Sequence, residues 1–244
     1  MKKRLLEYKK LDSTLNVFHD TSEFEEKFIL WSNHLLFDEL ISFIHSKEFE
    51  KIAIKENKLQ IYDFFKYFCS LQTTKSIIGV IEIEDVDGKY YGQTKQIVKV
   101  AAEKGYGPLM YDLALSKDNL TPSRFHVSDK AKKVWSYYYY NRKDVEKTQM
   151  EPQSEFEEED IDKNPELYQI YHLKNKLFDI FKLEKDSTKV LQNMVLDVFD
   201  LLQDKLPDVT LQLDLGKTTQ MIKDHYCGKL LHKYFQENFV VDET

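Results

Sequence analysis

Gly105 and Gly107 stand between an alternating apolar run, Gln96-Ile97-Val98-Lys99-Val100, and a helical pattern that opens with Pro108. Residue types in this order build an anion site. Glycines let the main chain turn tightly and approach a ligand without a Cβ in the way. A proline suits the first helical turn because its missing N–H would be unpaired there. The alternation before the turn predicts a half-buried strand, and Leu109, Leu113 and either Met110 or Ala114 fall on one face of the helix after it. Free N–H groups and the positive end of the helix dipole then face whatever sits above the turn, and a diphosphate is the expected guest.

Other nucleotide-binding patterns fail on spacing. The third glycine of a Rossmann fingerprint is missing, and no strand-helix-strand repeat surrounds the pair. Gly216-Lys217-Thr218-Thr219 looks like the end of a phosphate loop, but the required first glycine falls on Leu211, so Gly216 is expected at the exposed start of a helix.

Groups able to move protons lie nearby in the chain. Glu82 and Glu84 alternate with Ile81 and Ile83, which places both carboxylates on the polar face of one strand, as candidate bases or as ordinary solvated acids. Tyr137 to Tyr140 are consecutive on a helical pattern and must point all round it, so at least one is buried and one exposed. Ser128 reads as the N-cap of that helix, and Arg124 as a partner for a phosphate or a carboxylate. His225 and His232 share a helical face, but Cys227 is rotated away from them, so no metal site is expected.

Ala102-Glu103-Lys104-Gly105-Tyr106-Gly107, after a strand and before a helix, resembles motif A of the GNAT acyltransferases. The following Leu120-Thr121-Pro122-Ser123-Arg124, with Val127-Ser128, Ala131, Val134-Trp135 and Tyr138 to Tyr140, is similar to the next part of GNAT-like proteins found mostly in bacteriophage genomes. The resemblance covers about residues 76–145. It implies acetyl-CoA as the cofactor, its diphosphate held on the main chain of Lys104, Gly105, Tyr106 and Gly107, with Val100 and Ala101 leading into the site. It further implies catalytic roles for Glu82 or Glu84 as the base facing an acceptor amine, and for a tyrosine, Tyr138 or Tyr139, as the acid that protonates the leaving thiolate. Two positions depart from the family pattern: Ala102 stands where Gln or Arg is usual, and Pro108 removes an N–H. Family members place several strands and two helices ahead of motif A. Residues 1–70 here read as mostly helical, leaving one hairpin, Ile77 to Val86 and Tyr90 to Val100, joined at Asp87-Gly88, and hence a small or remodelled sheet.

A chain of 244 residues with 42% apolar content can bury an ordinary core without covalent staples. Two distant cysteines, Cys69 and Cys227, fit a reducing compartment, and neither a membrane-spanning run nor a signal-peptide pattern is present, so the expected location is the cytoplasm, or a host cytoplasm or virion if the source is viral. A net charge of -7 offers nucleic acid no general attraction, and Lys130, Lys132 and Lys133 read as the wet face of one helix.

The fold class expected is α+β. A helical N-terminal segment (residues 1–70) leads into a GNAT-like core with a small sheet (71–150), then an acidic linker (151–163) and a helical C-terminal module (164–244). In the module, helices are expected from Pro165 to Leu183, from a Ser187 or Thr188 cap to near Pro207, and from about Thr218 through Phe235; Phe24, Phe28, Trp31, Leu35, Leu36, Leu40 and Phe43 form a helical stripe near the N-terminus. Two functions follow. One is an N-acetyltransferase moving an acetyl group from acetyl-CoA to an amine acceptor. The other is an inactive GNAT-like interaction or virion-associated protein, whose helical module and acidic linker dock a protein partner.

Overall fold

A computed structural model describes residues 15–21, 25–52, 57–86, 94–123, 127–151, 155–174 and 183–238. In chain order these form β1 (Leu15–Thr21), β2 (Glu25–Ser32), α1 (Asn33–Ile44), β3 (Lys58–Gln60), α2 (Ile61–Leu71), β4 (Ile77–Asp85), β5 (Thr94–Ala102) and α3 (Gly107–Lys117). There follow β6 (Asn119–Thr121), α4 (Asp129–Asn141), β7 (Val145–Gln149), α5 (Glu155–Lys163), β8 (Gln169–Leu173), α6 (Leu183–Lys205), β9 (Thr210–Gln212), α7 (Leu215–His225) and α8 (Leu231–Asn238). The architecture is α+β, as expected, but the main sheet is larger than the sequence suggests: seven strands in the order β1-β2-β4-β5-β6-β8-β7.

The chain divides into two compact units, one of Met1–Phe18, Ile29–Ile78 and Leu183–Thr244, the other of His19–Phe28 and Gly79–Lys182. In the first, α2 buries Ile61, Phe64, Phe65, Phe68 and Cys69, the i, i+3, i+4, i+7, i+8 spacing of an amphipathic helix. Phe43 of α1 packs among Phe49, Phe64 and Phe68 at ring separations of 5.5 to 6.3 Å. Leu191, Met194, Val195, Val198 and Leu202 of α6 are buried too. Tyr226, in a π-helical turn between α7 and α8, is wholly buried; its hydroxyl lies 2.6 Å from that of Ser76 and accepts from the Gln72 amide at 3.0 Å.

In the second unit β4 and β5 form the expected antiparallel hairpin; its proposed turn, Asp87-Gly88, lies outside the described residues. α3 carries the chain from β5 across to β6, which runs parallel to β5, and is buried at every position from Leu109 to Ser116. β8 pairs antiparallel with both β6 and β7, so it is inserted between them.

Several elements differ from expectation. The helical stripe expected from Phe24 to Phe43 is, from Phe28 on, a strand followed by a helix; Phe24 lies outside the described residues. Phe28 to Trp31 are consecutively buried, as a strand covered on both faces requires, and Ser32 accepts a hydrogen bond from Leu35 N and starts α1 there. Three strands of the main sheet, β1, β2 and β4, with helices α1 and α2, thus precede β5.

The helix expected from Pro165 is a 3-10 turn (Pro165–Tyr168) followed by β8. There Gln169, Tyr171 and Leu173 alternate inward and five residue pairs ladder onto β7; residues 175–182 are outside the described set. Ser187 is no cap: it sits within α6, buried, and accepts from Val17 N at 3.0 Å. Within the acidic segment, Glu155–Lys163 is helical. Glu is a good helix former, and Asp160 accepts from Asn164 at 2.9 Å and from Tyr168 at 2.8 Å, which ties the last turn to the chain that follows. Among the described residues no helix is long and apolar enough to cross a membrane.

Candidate functional site

β5 does not keep the same neighbours along its length. It ladders with β6 only through Thr94, Lys95 and Gln96, opposite Asn119, Leu120 and Thr121, whereas its pairing with β4 continues to Ala102. From Ile97 onward, β5 is therefore laddered on β4 alone among the described residues. The divergence begins at a bulge. Glu82 pairs with Lys99 and Ile83 with Ile97, which leaves Val98 as the extra residue, 46% exposed.

The part of β5 beyond Gln96 leads into the glycine turn. Gly105 has φ +97°, a left-handed conformation that disfavours any side chain, and the turn is closed by the Tyr106 N–H donating to Glu103 O at 3.0 Å. α3 then starts at Gly107 with Pro108 in its first turn, and a Cβ added to Gly105 or Gly107 would meet nothing within 4 Å. The cofactor-binding residues named from the sequence are thus close together along the chain: Val100 and Ala101 lie just before the end of β5 at Ala102, and Lys104, Gly105, Tyr106 and Gly107 lead into α3. Pro108 deletes one donor, and the amides of Gly107 and Leu109 have no acceptor among the described residues.

The candidate proton carriers are more committed. Gly79 meets Met110 of α3, so strand alternation puts Glu82 and Glu84 on the opposite face of β4. Glu82 lies 3.7 Å from Lys27 Nζ and 3.6 Å from Lys99 Nζ, and Glu84 accepts from the Gln96 amide at 2.6 Å. Tyr138 is buried on the α3 side. Its hydroxyl donates to Asp112 and lies 3.3 Å from Pro108 O, at the base of the α3 N-terminus. It is already spent on a carboxylate. Tyr139 packs its ring near Lys147, whose Nζ donates to the Tyr139 carbonyl at 2.8 Å, while Tyr137 and Tyr140 are exposed. Glutamates and tyrosines therefore occupy opposite faces and do not meet directly. Ser128 caps α4, accepting from Ala131 N at 3.3 Å, and Arg124 lies outside the described residues.

A second polar site has no counterpart in the sequence motifs. At the other end of β5 and α3 a cleft of about 630 Å³ is lined by Asp85, Thr94, Lys95, Lys117, Asp118, Asn119 and His172, among others. Lys95 bridges Glu26 and Asp118, Glu26 pairs with His19 Nε2 at 3.2 Å, and Lys117 Nζ lies 2.8 Å from His19 Nδ1. The His19 ring stacks on Phe28 at 4.7 Å.

Burial opposes ionisation of Glu26, but hydrogen bonds from Lys95 and His19 prevail and hold its pKa below the usual carboxylate value. Asp118 goes the other way. Burial, helped by repulsion from Glu26, raises its pKa despite the ion pair with Lys95. The contributing residues come from short, separate stretches between positions 19 and 172, with no motif spacing to announce them.

Comparison with protein-family models, with curated proteins and with solved structures returns no match to this chain.

Proposed function

We propose that this chain is a GNAT-like acyl-CoA-binding protein that holds the diphosphate of acetyl-CoA over Gly105 to Gly107. The reading rests on one observation: among the described residues β5 ladders on β6 only as far as Gln96 and on β4 alone beyond it, and it leads from Ala102 into a glycine turn and a helix N-terminus. A strand that has parted from its neighbour on one side can offer main-chain groups to the amide-bearing arm of a coenzyme A ester. The turn offers N–H donors and the dipole end to its diphosphate. The strands and two helices ahead of β5 add support, because the family pattern calls for them.

Acetyl transfer would have an amine nitrogen attack the thioester carbonyl carbon. The new C–N bond forms as the C–S bond breaks, the amine loses a proton to a base, and the thiolate gains one. The groups best placed by sequence for those proton transfers are held elsewhere: Glu82 by two lysines, Tyr138 by Asp112. That observation favours a second reading, an inactive GNAT-like protein acting through a protein partner, as a virion-associated component would.

Calorimetric titration with acetyl-CoA tests the binding step. Gly107→Glu is the control of choice, since its side chain enters open space and does not need positive φ, yet places a negative charge where the diphosphate would lie. Saturable binding lost in Gly107→Glu supports the reading; absence of binding at millimolar acetyl-CoA overturns it and leaves the interaction role.

A further inference from the structure

The outer face of α4 carries side chains that neither the acyl-CoA reading nor the packing of the second unit uses. Inward, Trp135 stacks on Tyr171 at 4.8 Å and Tyr138 donates to Asp112, so that side of the helix is spent on the core. Outward, Lys130, Lys133, Tyr137 and Tyr140 follow one another three or four positions apart, and all four are exposed. They make a single stripe about 15 Å long, with ammonium groups at its start and aromatic rings at its end.

Two observations set this stripe apart from an ordinary wet face. Lys130, Lys132 and Lys133 make no ion pair with any described residue, and Asp129 is the one carboxylate in the helix. Lys130 and Lys132 also lie in the first turn, where the positive end of the helix dipole opposes a cation, so their placement costs stability. The second observation concerns the rings. Tyr140 is 66% exposed and Tyr137 39% exposed, on the same side of the helix as the lysines.

We infer that this face of α4 binds single-stranded nucleic acid, with the ammonium groups of Lys130 and Lys133 on its phosphates and the rings of Tyr137 and Tyr140 stacked on its bases. Lysines alone would serve any polyanion. Aromatic rings in line with them select a polyanion that carries flat, unpaired bases. An acidic peptide would leave the tyrosines unused, and a duplex keeps its bases stacked inside. The net charge of -7 gives the chain as a whole no attraction for nucleic acid, so the contact is local and sensitive to salt. The proposal stands apart from the acyl-CoA reading and survives if that one fails.

The test is fluorescence anisotropy on the full chain at low salt, with labelled oligothymidylate and oligouridylate as probes. The same oligothymidylate annealed to oligoadenylate, and polyglutamate as competitor, are the comparators. Saturable binding of either single strand, tighter than duplex or polyglutamate, is the expected result, and the tighter strand tells a DNA source from an RNA source. Lys130→Gln/Lys133→Gln should lower the slope of log affinity against log salt by about 1.4, as the loss of two phosphate contacts on a single strand requires. Tyr140→Ala should weaken binding about fivefold or more, whereas Tyr140→Phe keeps the ring and should bind as wild type does. Both changes fall on an exposed side chain, and the phenylalanine variant separates lost stacking from a lost hydroxyl. Absence of binding at low salt, equal affinity for duplex or polyglutamate, an unchanged salt slope in the double variant, or full affinity in Tyr140→Ala would overturn the proposal.

Discussion

Arg142 Nη1 lies 2.8 Å from Oδ1 and 3.1 Å from Oδ2 of Asp112, an aspartate only 2% exposed in the middle of α3. The same guanidinium grips both oxygens of Asp144 at 2.8 Å and lies 4.9 Å over the ring of Tyr138, whose hydroxyl also donates to Asp112. Burial favours a neutral guanidinium, but Asp144 and Asp112 outweigh it and hold the pKa above the ordinary arginine value. This cluster ties α4 and the start of β7 to the helix that opens at the glycine turn, so it fixes the direction of the α3 N-terminus.

Removing one member should therefore be severe. Arg142→Met leaves Asp112 buried without its cation and is expected to cost about 3–5 kcal/mol in urea unfolding. The double variant Arg142→Met/Asp112→Leu removes the stranded charge and should regain most of that loss. A single variant within about 1 kcal/mol of wild type would show that the cluster does not bear on stability.

The two glycines of the turn should respond differently to the same substitution. Gly105→Ala forces an L side chain into φ +97° and is expected to cost about 1–2 kcal/mol. Gly107→Ala meets open space at the first residue of α3 and should be neutral, or stabilising by up to about 1 kcal/mol. Thermal denaturation of the pair separates backbone strain from crowding. Equal losses at both positions would contradict the geometry described.

How much of this could be read from the sequence depended on whether the signal was local. The β5-turn-α3 unit was legible because glycine, proline and β-branched residues act over a few positions, and the α4 cap at Ser128 was legible for the same reason. The stripe through Phe28 and Phe43 misleads because Phe28, Trp31 and Leu35 repeat at helical spacing, although the consecutive burial of Phe28 to Trp31 arises only when both faces of β2 are covered. β8 was hidden because its alternation matters only once β7 pairs with it. Tyr138 was visible as a tyrosine, but its engagement by Asp112, 26 positions away, was not. The cleft was least legible of all, since His19, Lys95, Asp118 and His172 are brought together by chain topology and by no motif.

The two thiols should report the packing of their elements. Cys69 faces the core of the first unit from α2, and burial pushes its pKa up to about 12, while Cys227 is half-buried in the π-helical turn. A disulfide-exchange reagent at mildly alkaline pH should therefore modify one thiol readily and the other only after unfolding. Mass mapping that found Cys69 labelled as fast as Cys227 in the folded protein would sink this assignment.

His225 supplies a stability effect with a definite sign. Burial, reinforced by Lys229 and Lys233, lowers its pKa from 6.5 to about 4, and its buried Nε2 has no hydrogen-bond partner among the described residues. The unfolded chain takes up this proton as pH drops below about 6.5, whereas the folded chain resists until about pH 4. The contribution to stability is thus fully present above the unfolded pKa and is lost as pH falls toward the folded one. For a fully buried imidazole such a shift amounts to about 3 kcal/mol, and solvent screening of this half-buried ring reduces it to about 1–2 kcal/mol. His225→Phe removes the titration and keeps the ring volume, so its stability relative to wild type should rise by that amount between about pH 7 and about pH 4.5. Urea midpoints at the two pH values measure the difference, and carboxylate effects common to both proteins cancel. Parallel pH profiles for variant and wild type would mean that His225 charges as freely in the folded protein as in the unfolded one.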